Sequence, residues 1–322
     1  MVTIRDVATA ADVAVSTASR ALNNNPRISQ KSRDRIQLIA KDMGYRVNSN
    51  AKNLSLGESN VVGVIFPVTK VGNQENTFHI DMMRGVNKEL APRKYVMSVA
   101  MGQTDTELLS NVQAMVLEAQ IHRFILLYSK KNDMVTQFLS TQNDVRYVVI
   151  GEPVDSGTQF YVNNDNVLAG FDATKFLERT YNSKHILFIK SNKNWNFEIQ
   201  REHGFNHAID ELKIKHKSSN LGLRHGNDNS DRLIAYIKAH ANVDGVVAAD
   251  DMIGFTFFNF WKKTFNKDIP VIVFNNNQLF SRMGNNNFHC VDLYPDKLGQ
   301  EAAKLVFSDD TRGYVVVPHK VR

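Results

Sequence analysis

From residue 61 onward the chain is paced by short, nearly uninterrupted apolar runs. They are VVGVIFPV (61–68), YVMSVA (95–100), RFILLYS (123–129) and YVVIGE (147–152), then HILFIK (185–190), GVVAA (245–249) and PVIVFN (270–275). Their spacing of roughly 30 residues is the length of a βαβ unit. Continuous Val/Ile/Leu runs suit parallel strands covered by helices on both faces. Two such series, broken at PVDSGTQFYVNND (153–165), predict two similar α/β subdomains, each a doubly wound parallel sheet. Late strands near 289–293 and 314–319 are expected to cross back between the lobes.

The first 57 residues follow a different cadence. Thr3 and Asp6 have the spacing of a helix start, because the hydroxyl can accept from a free N–H and the carboxylate suits the positive helix end. Val7, Ala10 and Ala11 make one apolar face, Asp12-Val13-Ala14 reads as a turn, and VSTASRALN (15–23) resumes helical spacing with Ala18 and Leu22 inward. Ser29 can cap a third helix with Ile36, Ile39, Ala40 and Met43 at core spacing, and Gly44 can end it. The pattern predicts an all-α helix-turn-helix module, whose second helix presents its N-terminal residues to base edges in the major groove. Those residues are Val15, Ser16 and Thr17, with Arg20 one turn on. Arg20 can fork onto guanine or clamp a phosphate. Thr3, Ser19, Asn23, Arg27 and Ser29 are small polar or basic groups at helix ends, the usual phosphate holders. Read from residues alone, the alternative is a three-helix cap without a ligand.

Charge is unevenly placed. Residues 1–59 hold nine Lys/Arg against five Asp/Glu, most of the chain's formal +6. A basic module on a near-neutral body points to a polyanion partner for the module; a solvated basic helix is the alternative. No run of about 18 apolar residues predicts a membrane span, and the N-terminus lacks an apolar signal core. Cys290 is the single cysteine, which suits a reducing compartment. No P-loop, G-x-G-x-x-G, H-E-x-x-H, thiolate zinc cluster or nucleophile elbow occurs, so no cofactor, metal or catalytic residue is expected. HGNDNSD (225–231) reads as a loop and helix cap rather than an EF-hand.

TIRDVATAADVAVSTASRALN (3–23) resembles the headpiece signature of the LacI/GalR family of bacterial transcription regulators. Thr3, Asp6, Val7, Ala8, Val13, Thr17, Ser19, Arg20 and Asn23 stand in matching places. Two departures are Asp12, where the family has Gly in the turn, and Ala14, where it has a capping Ser. An Ala cap costs roughly 0.5–2 kcal/mol of helix support. The polar segment RVNSNAKNLSLGE (46–58) is too short to hold a helix alone in water and reads as a plain linker. The resemblance instead implies a hinge helix that orders on DNA, with Ala51 and Leu54 matching its Ala-x-x-Leu core and Tyr45 and Asn48 flanking it. Leu54 would be an apolar wedge in the minor groove. Val47 stands where the family commonly has Pro.

The resemblance implies a headpiece at 1–46, a hinge at 47–59 and a periplasmic-binding-protein-like core at 60–322, its N-subdomain about 60–160 and 289–316 and its C-subdomain about 161–288 and 317–322. Ligand residues are expected at the carboxyl ends of strands. The candidates are Phe78, Asp165, Trp195, Phe197, Arg201, Asp250 and Asn275. Arg201 matches a family arginine preceding a Gly-aromatic pair, here Gly204-Phe205. Trp195 and Phe197 offer flat faces for a sugar ring, or ordinary packing. Asn275 stands where many sugar-binding members carry Asp. VNNDNVLAGFDATKFL (162–177) and LLYS (126–129) resemble maltose-operon repressors of Gram-positive bacteria.

The implied protein is a non-enzymatic repressor of a sugar-utilisation operon in the bacterial cytoplasm, at the nucleoid. Its partners would be palindromic double-stranded operator DNA, a small sugar effector such as maltose, and a second copy in a homodimer. The chain ends soon after the core, without a leucine-rich tail, which fits a dimer rather than a tetramer. The alternatives are a catabolite regulator using a phosphoprotein co-repressor, or a sugar-binding or sugar-modifying protein.

Overall fold

The computed structural model, described over residues 2–45, 59–68, 77–154, 160–191, 195–220, 230–275 and 287–322, separates into Met1–Asn60 and Val61–Arg322. In the first unit the helices are α1 (Ile4–Ala10), α2 (Val15–Leu22) and α3 (Gln30–Asp42). Thr3 caps α1 in a closed box: its hydroxyl accepts from the Asp6 amide, and its own amide donates to the Asp6 carboxylate at 2.8 Å. These bonds hold the Asp6 carboxyl below the usual range, the backbone bond from Thr3 contributing most. The turn into α2 is made by Asp12 at φ 47°, and Ala14 offers no side-chain cap. Ser29 caps α3. Gly44, at φ 68°, lets the Tyr45 amide fold back onto the Ala40 carbonyl at 2.8 Å.

The core of this unit is built from small residues. Val7, Ala8, Ala11, Ala18, Ala21, Ile36 and Ala40 are buried together, while Leu22, expected inward, is half-buried at the margin. The hinge positions Asn48, Ala51 and Leu54 lie outside the described residues.

The second unit carries two six-stranded sheets. The first has the order β11-β5-β4-β3-β1-β2, with β1 (Val61–Ile65), β2 (Val96–Ala100), β3 (Arg123–Leu126), β4 (Arg146–Ile150), β5 (Phe160–Asn163) and β11 (Gly313–Val316), all paired parallel. The second has the order β12-β10-β9-β8-β6-β7, with β6 (His185–Lys190), β7 (Lys215–Asn220), β8 (Gly245–Ala248), β9 (Val271–Phe274), β10 (Phe288–Asp292) and β12 (Lys320–Val321). Only the edge strand β12 is antiparallel among the described pairs, lying against β10. The central strands are buried nearly throughout, which is why they read as continuous apolar runs.

Helices α4 (Thr77–Leu90), α5 (Asp105–Leu117), α6 (Met134–Ser140) and α11 (Pro295–Val306) accompany the first sheet. Helices α7 (Asn166–Tyr181), α8 (Asn196–Leu212), α9 (Ser230–Ala239) and α10 (Asp251–Phe265) accompany the second. Each lobe contains a reciprocal glycine crossing. In α7 and α8, a Cβ on Gly170 would stand 2.1 Å from the Arg201 carbonyl oxygen, and one on Gly204 1.8 Å from that of Val167. Gly85 and Gly299 face Asp296 and Met82 in the same way in α4 and α11.

The pairing corrects several sequence expectations. β5 falls inside the stretch read as the break between lobes, so residues 161–163 belong to the first sheet, not the second subdomain. β10 belongs to the second sheet, so of the segment 289–316 expected in the first lobe only the part from α11 onward lies there. Of the late run near 314–319, residues 314–316 lie in β11 of the first sheet and the rest lead across to β12, which begins at Lys320 in the second. β7, with the sequence KHKSSN, had no apolar signal because it is an edge strand. The segment 225–231 read as a loop and cap lies mostly outside the described residues.

No helix among the described residues is long and apolar enough to cross a membrane. Among them no group of His, Cys, Asp and Glu is arranged to hold a metal ion.

Candidate functional site

Two regions gather the residues singled out in the sequence. On the first unit, Val15, Ser16 and Arg20 stand exposed on α2, with Thr17 and Ser19 half-buried beside them. Arg20 makes no bond to another side chain or carbonyl among the described residues, so its guanidinium is available to a ligand. Asn23 is exposed and donates to the Ser19 carbonyl at 2.9 Å. Arg27 is exposed beyond the end of α2, its amide donating to Asn25 at 3.0 Å. The Thr3 and Ser29 hydroxyls are engaged as helix caps.

Not all of the basic charge faces outward. Arg35 Nη2 donates to the Ala11 carbonyl at 2.8 Å, at the end of α1. Arg33 Nη1 donates to the Asn24 and Asn25 carbonyls at 3.3 and 3.2 Å, just past α2. Cations at helix C-termini satisfy free carbonyls and suit the negative helix end. These arginines therefore clamp the module. The charge count could not separate them from Arg20, because both kinds lie on polar helix faces.

On the second unit the centre is Arg201, on α8 and 5% exposed. Its Nε donates to Asn166 Oδ1 at 3.0 Å and its Nη1 to the Ala249 carbonyl at 2.7 Å. The guanidinium lies 4.2 Å from the Phe274 ring centroid and 4.7 Å from that of Phe197. Burial lowers its pKa to about 9, against the opposing pull of Asp250, Glu198 and Asp251, so it is a cation at neutral pH. Planar stacking and forked donation are what a guanidinium offers and an ammonium does not.

Asp250 follows β8 and caps α10, accepting from the Met252 and Ile253 amides at 2.9 and 3.4 Å. Burial raises its pKa, opposed by those amides and by Arg201. Asn275 follows β9 in a left-handed conformation, φ 88°. Its Oδ1 is buried with no hydrogen-bond partner among the described residues. An orphaned acceptor at a strand's carboxyl end is a place for a ligand donor.

Trp195 and Phe197 present near-parallel rings, 11° apart with centroids 6.5 Å apart, at the start of α8. Phe78, near the start of α4, packs against the cores of both lobes. Asp165 is exposed and used locally as the cap of α7, accepting from Leu168 at 2.8 Å. The structure thus gathers Trp195, Phe197, Arg201, Asp250 and Asn275 around the carboxyl ends of the second sheet. Phe78 stands between the lobes, while the Asp165 side chain is taken up by its capping role at the start of α7.

Several residues in and around this site do not stand out as individual candidates in the sequence. Glu198 is 1% exposed and accepts from the Ser191 amide and hydroxyl and from the Trp195 amide, at 3.0, 2.8 and 3.2 Å. It holds the entry to α8 in place, and its spacing three residues after Trp195 was the available clue. Glu152, after β4 of the first lobe, receives Gln200 Nε2 on its carboxylate, and its carbonyl accepts from Ser129 at 2.7 Å. In the LLYS segment, Tyr128 is buried with its hydroxyl donating to Asp133 at 3.1 Å.

Comparison with known proteins follows the same division. Residues 3–48 match the model for bacterial regulatory proteins, lacI family. The HTH-type transcriptional regulator MalR of Staphylococcus xylosus is 29% identical over 313 residues, covering 94% of this chain and 90% of that protein. The chain is similar to a solved complex of the transcriptional regulator CelR with cellobiose, at TM-score 0.68 and 20% identity, over 100% of this chain and 98% of that one. It is also similar to the Lac repressor dimer bound to operator and the anti-inducer ONPF, at TM-score 0.77 and 13% identity, over 99% of this chain and 97% of that one. At such identities the structural likeness speaks for the fold: a helical headpiece followed by two parallel-sheet α/β lobes.

Proposed function

We propose that this chain, whose helix-turn-helix domain belongs to the lacI family, is a sequence-specific repressor of a sugar-utilisation operon that a small sugar releases from its operator. Maltose or a related α-glucoside is the favoured effector. The observation that carries the reading is the union of an exposed α2 reading face with a body whose buried Arg201 meets Asp250, Phe197 and Phe274 at the ends of the second sheet. The relatives' names support a sugar regulator, and MalR along nearly the whole chain supports maltose.

In this reading Val15, Ser16, Thr17 and Arg20 meet base edges, while Ser19, Asn23 and Arg27 hold phosphates. Thr3 and Ser29, as caps, orient amides toward the same backbone. A hinge at 47–59 orders on DNA, with Asn48 and Ala51 framing Leu54 as the minor-groove wedge. Two copies bind a palindromic operator at the nucleoid, since a two-fold protein matches a two-fold site. The exposed Val96 and Val99 on edge strand β2, with Ile80 on α4, support a homodimer through the first lobe.

Between the lobes, Arg201 and Asp250 fork onto sugar hydroxyls, Asn275 accepts from a third, and Trp195, Phe197 and Phe78 cover the ring's apolar face. Asp165 lies at the rim. Sugar binding shifts the lobes and disorders the hinge, and by linkage the operator weakens sugar binding equally.

The test is fluorescence anisotropy of labelled DNA from the gene's own upstream region, titrated with protein with and without maltose. Specific binding weakened by maltose is the expected result. Binding indifferent to maltose would remove that effector. No specific binding in either condition would overturn the repressor reading.

A further inference from the structure

Three segments join the two lobes: 163–166 between β5 and α7, 292–295 between β10 and α11, and 316–320 between β11 and β12. Any rotation of one lobe against the other must be accommodated in these segments. One side chain ties all three together. Asn164, 4% exposed, sits in the first segment and donates through Nδ2 to the Leu293 carbonyl at 3.1 Å and to the Val317 carbonyl at 2.8 Å. Those carbonyls belong to the second and third segments.

Two residues on, Asn166 is 5% exposed and faces both ways. Its Oδ1 accepts from Arg201 Nε at 3.0 Å. Its Nδ2 donates back to Asn163 Oδ1 at 3.2 Å and to the Asn164 carbonyl at 3.3 Å. The guanidinium of the effector site is thus connected to all three inter-lobe segments through two buried asparagines, two residues apart, that are joined at the Asn164 backbone carbonyl. Buried, interlinked hydrogen bonds of this kind have few alternative arrangements, because each broken member leaves a desolvated polar group.

Arg201 itself is fixed to the second lobe. Its backbone is wedged against Gly170, and its Nη1 is held by Ala249. A ligand bound at Nη2 would therefore pull on a planar group whose Nε is bonded to Asn166.

We infer that Asn164 and Asn166 are positioning residues that relay sugar occupancy at Arg201 to the inter-lobe hinge, coupling the effector site to operator release without touching either ligand. The inference rests on the repressor reading above. If the asparagines only satisfied stray carbonyls, their loss would lower stability and leave the coupling unchanged.

Two variants separate these roles. Asn164→Ala removes both bonds to the hinge carbonyls. Asn166→Asp keeps the acceptor for Arg201 and removes the donor to Asn163 and Asn164, at constant size. For wild type and each variant, maltose affinity is measured by calorimetry and operator affinity by anisotropy, with and without saturating maltose; thermal melting checks folding.

In wild type, maltose should weaken operator binding on the order of tenfold to a hundredfold. In both variants that ratio should fall below about threefold, while maltose affinity and sugar-free operator affinity each stay within about threefold of wild type. Retention of the wild-type ratio in the variants would overturn the relay. Parallel loss of maltose affinity would place the asparagines in the pocket and also overturn it. If Asn164→Ala does not fold, Asn166→Asp decides alone. A wild-type protein indifferent to maltose would instead overturn the maltose-release reading, and the relay with it.

Discussion

Gly170→Ala is normally a gain in a helix interior, worth about 0.5–1 kcal/mol from reduced backbone freedom. Here the added Cβ would stand 2.1 Å from the Arg201 carbonyl oxygen and 2.8 Å from its carbon, where real contacts do not fall below 3.0 Å. The obstacle is backbone, so no side chain can swing away, and α7 and α8 must part by about 1 Å. Overpacking of this kind costs about 1–3 kcal/mol. Set against the helix gain, the net loss is about 0–2.5 kcal/mol, centred near 1, or a fall in Tm of roughly 2–4 °C at that centre. The displaced atoms belong to Arg201, whose bonds to Ala249 and Asn166 are 2.7 and 3.0 Å. Weakening one bond from a charged donor, worth about 1.5–3 kcal/mol, should lower sugar affinity about tenfold or more. Calorimetric melting and maltose titration check both numbers, with sugar-free operator affinity as the control. A Tm within about 1 °C of wild type, with maltose affinity within about twofold, would refute the claim that this crossing sets the arginine.

Other expectations follow from particular contacts. Arg20→Ala should weaken specific operator binding by about 1–3 kcal/mol in anisotropy titrations while leaving the fold intact, and an unchanged affinity would remove Arg20 from the interface. Arg35→Met should lower the headpiece's stability by about 1 kcal/mol, because the Ala11 carbonyl loses its charged donor; an unchanged thermal midpoint for the headpiece transition would count against the clamp. Arg201→Ala should preserve operator binding and abolish the sugar response, and a normal response in a reporter titration would exclude it from the site. His79, tilted against Phe66, has its pKa lowered by burial to about 4 from 6.5. Its neutral form stabilises the fold above pH 6.5, and that contribution, at most about 3 kcal/mol, is lost as pH falls toward 4. Urea unfolding at stepped pH should therefore show a shallower acid loss in His79→Gln than in wild type; identical slopes would refute the assignment.

What could be read from the chain directly was local. Thr3 with Asp6, and Ser29, announce helix starts because a cap bonds amides only two or three residues away. Asp12 and Gly44 mark turns because the left-handed geometry they adopt is a property of the single residue. Buried strands such as β8 and β9 betray themselves by unbroken apolar composition, since both their faces are covered.

Tertiary structure decided the rest. Whether β10 joins the first sheet or the second depends on pairing with β9, and the edge strand β7 needs no apolar face at all. Arg33 and Arg35 differ from Arg20 only in what lies opposite them. Asn164 finds its partners 129 and 153 residues away. Such bonds leave no periodic trace, because the energy that selects them comes from desolvated groups brought together only when the chain has folded.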